Sequence, residues 1–165
     1  MNTIEIRVSE TTNAPDATDE RGCIELQLLV DGIKTTAFDG VSIEPCALAA
    51  VATQSGEFYI ATCGCGIADC AGIYRGVRVS QSNGIISWEV PVPYLPEKGS
   101  DRSQSGIVKY EFSADSYRAE IANMVDTLRS LQVREAKGDR FELHGHPGTL
   151  VEQILGWIAE GIVPF

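Results

Sequence analysis

The chain has 165 residues, is 44% hydrophobic, and carries 13 basic against 23 acidic side chains, a formal net charge of −10. A chain of this size buries about two-thirds of its unfolded surface and its apolar fraction is near the globular average, which argues against pervasive disorder. The acidic excess disfavours nucleic acid and anionic membrane surfaces, which both require cationic neutralisation, and leaves a solvated acidic surface or a basic protein partner.

The N-terminal Met1-Asn-Thr-Ile-Glu-Ile-Arg7 lacks a basic start followed by an apolar run, so no signal peptide is expected. No apolar stretch approaches about 18 residues, so no membrane-spanning helix is expected either. The expected compartment is the cytoplasm, where thiols stay reduced. The cysteine count, five, is odd and does not make a complete disulfide framework.

Thr3 to Val8 alternates, with Ile4, Ile6 and Val8 on one side and Glu5 and Arg7 on the other, which predicts a half-buried strand. Residues 9–22 are polar and predict an exposed loop. Cys23 to Val30 and Ile33 to Phe38 flank Asp31-Gly32, the pair that supplies two positive-φ positions of a type I′ turn. The implied hairpin pairs Val30 with Ile33, Leu28 with Thr35 and Leu26 with Ala37. Cys46 to Thr53 is alanine-rich and reads as a short helix or a buried turn. Gly56 to Thr62 reads as a strand that enters a turn rich in cysteine and glycine.

Beyond that turn, Tyr74 to Ser82 and Ile85 to Val90 flank Asn83-Gly84, the strongest two-residue hairpin signal in the chain. Its register places Val79 opposite Trp88 and Val77 opposite Val90, pairs of the kind that stabilise a sheet by about 0.2–1 kcal/mol each. Pro91, Pro93 and Pro96 are expected to break the ladder. Residues 97–105 predict a second exposed loop, and Val108 to Phe112 a further strand. From Asp115 or Ser116 to about Arg134, Tyr117, Ile121, Met124, Val125, Leu128 and Leu131 form one apolar stripe at helical spacing. Ser113 or Asp115 can cap it. Phe141 to Gly148 predicts a strand end or loop. Thr149-Leu-Val-Glu152 has the capping-box pattern and opens a helix to Glu160, closed by Gly161 and Pro164. The sum is a single α+β domain over 1–165: an antiparallel, hairpin-built sheet of six or seven strands covered by two C-terminal helices.

Candidate chemistry concentrates in Cys63-Gly-Cys65-Gly-Ile-Ala-Asp-Cys70. Three thiolates on a glycine-rich turn can hold a metal, and zinc wants four ligands in a tetrahedron. The fourth can come from His144, His146, Cys46 or Cys23. His144 and His146, at i and i+2 on an extended segment, share a face and can chelate. The spacing differs from a Cys-x2-Cys pair. Two other readings stand beside the metal one: cysteines without a function of their own, either reduced and packing a tight turn or joined in one adventitious disulfide, and a thiol-dependent redox protein in which Cys65 and Cys70 bridge. Cys23 reads as a small hydrophobe. No nucleophile elbow and no phosphate-binding glycine loop occurs.

The run Ala61-Thr-Cys-Gly-Cys-Gly-Ile-Ala-Asp-Cys-Ala-Gly72, the Val-rich strand and Trp88 of the hairpin, then Tyr110-Glu-Phe112 and Tyr117, resembles a family of small bacterial proteins. Its members share a Cys-x-Cys-Gly-x-x-x-Cys turn followed by a Val…Trp hairpin and have no assigned activity. The resemblance covers about Phe58 to Leu128. It implies one coherent domain and transfers no catalytic residue. With no catalytic constellation and a strongly acidic surface, the expected function is a non-enzymatic binding or regulatory domain for protein interaction. The alternatives are a structural zinc-binding domain and a thiol redox protein.

Overall fold

A computed structural model describes residues 1–12, 22–34, 40–92 and 106–164. The described strands are β1 (Ile4–Thr12), β2 (Gly22–Val30), β3 (Ile33–Lys34), β4 (Ser42–Ile43), β5 (Gly56–Phe58), β6 (Ala61–Thr62), β7 (Val77–Ser82), β8 (Ile85–Val92), β9 (Gly106–Ser113) and β10 (Phe141–Leu143). The helices are α1 (Pro45–Val51), α2 (Ala114–Glu135) and α3 (Val151–Glu160). The fold class is α+β, as the alternation of strand and helix patterns predicts.

The strands divide over three sheets rather than one. The first orders β1-β2-β10, with β3 also on β2; the second is β4-β6; the third orders β5-β7-β8-β9. Both two-residue turns form as expected. Asp31 and Gly32 take φ of 54° and 74°, and Asn83 and Gly84 take 50° and 74°. They set the predicted pairs Val30 with Ile33 and Val79 with Trp88, and close the second hairpin with Ser82 on Ile85; that ladder runs only to Arg78 with Glu89, short of the expected Val77 with Val90. The predicted pairs of Leu28 with Thr35 and Leu26 with Ala37 lie outside the described residues, as do positions 13–21 of the first expected loop, Pro93, Pro96 and the loop over 97–105.

Four local expectations are corrected. Ser9 to Thr12 is strand, not loop, because β1 continues pairing with β2 until Thr12 meets Gly22. Its hydroxyls add to the ladder: Ser9 Oγ donates to the Glu25 carbonyl and Thr11 Oγ to that of Cys23. The segment from Gly56 to Thr62 is split between two sheets, β5 pairing β7 and β6 pairing β4. Pro91 remains inside β8, opposite Ile107 of β9; β7 starts at Val77, so the other side of β8 is already free where the missing N–H would otherwise be needed. The α3 cap falls one residue later than the Thr149 pattern suggests. Leu150 is the N-cap, and the Gln153 side chain accepts from its N–H at 3.0 Å.

The buried side chains form one cluster spanning the sheets and helices. At its centre Trp88 meets Phe112 and Tyr117 edge-on, with ring centroids 5.1 and 5.9 Å away, an arrangement worth about 0.5–1.5 kcal/mol per pair beyond area burial. The Tyr117 hydroxyl donates to the Leu48 carbonyl at 3.1 Å and so ties α2 to α1. The predicted stripe of α2 is buried at Tyr117, Ile121, Met124, Leu128 and Leu131, with Val125 half-buried. Among the described residues, no helix is long and apolar enough to cross a membrane.

The pairing that places the candidate site is β10 on β2. It is parallel, with Phe141 opposite Gly22 and Leu143 opposite Ile24. The His144 N–H then donates to the Ile24 carbonyl at 2.9 Å. This brings the two histidines beside the first residues of β2, next to the small β4-β6 sheet.

Candidate metal centre

Two buried residues anchor the cysteine turn. Ile60 before it and Ile73 after it are both fully buried. Between them the backbone closes on itself. The Gly66 N–H donates to the Cys63 carbonyl at 2.9 Å and the Cys63 N–H to that of Ile67 at 3.3 Å. A single 3₁₀ turn, Asp69–Ala71, follows and ends at Gly72. Gly66 and Gly72 have φ of 86° and 77°, the left-handed region that glycine enters without a Cβ clash.

This folding back brings Cys70 to Cys63 and Cys65. The three sulfurs lie within 4.8 Å of one another, and among the described residues they are the group of metal-ligating side chains that converges in this way. Cys63 and Cys65 are joined as a disulfide, and Cys70 is a free, exposed thiol. The bridge therefore differs from the Cys65–Cys70 pairing considered for redox chemistry. The Cys65 N–H donates to the Cys63 sulfur at 3.2 Å.

Gly64 is needed for a different reason from Gly66 and Gly72. A Cβ built there would sit 2.9 Å from His144 Nε2. The imidazole thus abuts the backbone between Cys63 and Cys65. Its other nitrogen, Nδ1, pairs with Ser42 Oγ at 2.9 Å. An outer hydrogen bond to one ring nitrogen is the usual way a ligating histidine is fixed in tautomer and orientation. His144 stands outside the 4.8 Å group but faces the turn, and it is exposed.

His146 does not join the sulfurs. The segment from 144 to 146 is a tight turn, not an extended run: the His146 N–H donates to the Leu143 carbonyl at 2.8 Å, and Gly145 has φ of 93°. The two rings therefore diverge, and the expected shared face is absent. Gly145 rests on the paired residues Ser42 and Thr62; a Cβ there would lie 3.0 Å from Ser42 Cβ and 3.4 Å from Thr62 Oγ1. His146 points inward, and its Nε2 meets Glu44 Oε2 at 2.7 Å with both side chains almost fully buried. Glu44 Oε1 accepts from the Cys46 N–H at 3.0 Å and caps α1. This buried pair locks the histidine turn onto α1. The sequence reading missed Glu44 and Ser42, since neither belongs to a short motif.

Cys46 and Cys23 are also removed from the ligand set. Cys46 is buried in α1, and burial, reinforced by the Glu44 carboxylate, pushes its thiol well above the usual range. That makes it an inert small hydrophobe. Cys23 is half-buried on β2, opposite Glu142.

No family model, curated protein or solved structure matches the chain. The function must be read from these residues.

The three cysteine sulfurs could hold a metal ion. Three thiolates and one imidazole are a common zinc set, and zinc–sulfur bonds of about 2.3 Å require sulfurs about 3.8 Å apart. The observed cluster lies within reach of that spacing once the Cys63–Cys65 bond is reduced. The glycine at position 64 leaves the approach of His144 clear.

Proposed function

We propose that this protein is a zinc-binding domain in which Cys63, Cys65 and Cys70 hold the ion as thiolates and His144 supplies the fourth ligand through Nε2. The convergence of three sulfurs within 4.8 Å on a doubly anchored turn carries this reading. The position of His144 supports it, with Nδ1 on Ser42 and Nε2 against Gly64. A bound ion would tie the cysteine turn to the turn after β10, where Gly64 already abuts His144.

The test is metal content of untagged chain, purified under reducing conditions, by elemental analysis. About one zinc per chain is expected, with a fall in melting temperature on chelation, because a ligand that binds only the folded state adds to its stability. Zinc far below one per chain, with no chelator-dependent shift, would overturn the reading. The second reading, thiol redox chemistry, is favoured by the Cys63–Cys65 bridge itself.

A further inference from the structure

We propose that Cys63 and Cys65 undergo thiol–disulfide exchange with small external disulfides, and that this exchange decides whether the metal is held. The two states use the same sulfurs. A Cys63–Cys65 bond and a bond from each sulfur to a metal cannot coexist, and the third sulfur, Cys70, lies within 4.8 Å in the bridged form. Oxidation therefore removes two of the three sulfur ligands while leaving the frame that positions them.

Exposure assigns the roles. Cys65 is exposed, whereas Cys63 is half-buried. The Cys65 thiolate attacks one sulfur of the external disulfide. The external S–S bond breaks, one external thiolate leaves, and a mixed disulfide forms on Cys65. The Cys63 thiolate then attacks the Cys65 sulfur. The Cys63–Cys65 bond forms and the second external thiolate leaves. Two protein sulfurs have lost one electron each, and the external disulfide has gained both. The two departing thiolates take protons from solvent according to their pKa, and the metal, left with Cys70 and His144, dissociates.

An external dithiol reverses the sequence by attack on exposed Cys65. The leaving sulfur is then Cys63, which the Cys65 N–H already meets at 3.2 Å. A hydrogen bond to sulfur stabilises the thiolate form and so favours its departure.

The release of metal rests on the zinc reading above; the exchange does not. The experiment takes the reduced, zinc-loaded full chain and adds oxidised glutathione as the probe. A chromogenic chelator follows zinc, and peptide mass mapping follows the bridge. One zinc is expected to leave per Cys63–Cys65 bridge formed, with affinity lowered at least about 100-fold, since even loss of an outer hydrogen-bond partner costs about 10–100-fold. Cys65→Ser should abolish the bridge. Cys70→Ser should still form it. A bridge that involves Cys70, zinc lost without a bridge, or zinc retained by the bridged chain each overturns the proposal. If the reduced chain takes up no zinc, the metal reading and the gating fail together; the bridge assay on that metal-free chain then separately upholds or refutes the exchange.

Discussion

Replacing Gly64 by alanine separates the metal site from the fold. Gly64 is not among the residues with positive φ, so alanine meets no backbone strain there. What it meets is His144: the new Cβ would lie 2.9 Å from Nε2, 3.5 Å from Cδ2 and 3.7 Å from Cε1. Ordinary contact begins at 3.4 Å, so the ring must retreat by at least 3.4 − 2.9 = 0.5 Å. Because His144 is exposed, it can do so at a stability cost below about 1 kcal/mol. A metal site tolerates only about 0.2 Å in ligand distance. Zinc affinity should therefore fall by about 10–100-fold, or about 1.4–2.7 kcal/mol, while the melting temperature of the metal-free chain hardly changes. Competition with a chromogenic chelator measures the first, and thermal denaturation the second. In a His144→Ala background the same glycine substitution should have little further effect, because the clash and the ligand vanish together. A Gly64→Ala chain that binds zinc like the parent, or one equally weakened with and without His144, would refute the assignment of His144.

Two further outcomes follow from the buried groups. His146→Ala should destabilise the fold by about 1–3 kcal/mol, because it leaves the buried Glu44 Oε2 without its 2.7 Å partner; no measurable loss in urea denaturation would show that the pair does not lock the histidine turn. Burial raises the Cys46 thiol, with help from Glu44, and also the Tyr117 phenol. The folded chain therefore keeps protons that the unfolded chain releases, so this stability is full below about pH 8.5 and declines above it, with Tyr117 adding to the decline beyond about pH 10. Denaturation between pH 7 and 10.5 should show that decline, Cys46→Ala should flatten its first part, and stability that rises with pH would contradict the sign.

Local chemistry in the sequence determined the hairpins, the long helix and the cysteine turn. Asp31-Gly32 and Asn83-Gly84 carry their turn geometry in two adjacent residues, so register followed directly. The stripe from Tyr117 to Leu131 is likewise a property of one segment. Three cysteines within eight residues needed only a glycine-softened backbone to converge. What the sequence could not determine was anything that depends on partners far along the chain. The division into three sheets and the parallel docking of β10 on β2 follow from burial of distant apolar faces, and no short motif encodes them. That docking brings His144 to Gly64, while one positive φ at Gly145 sends His146 the other way, to Glu44. Two histidines that look equivalent in sequence therefore have opposite fates, because tertiary packing, not spacing, sets the direction of each ring.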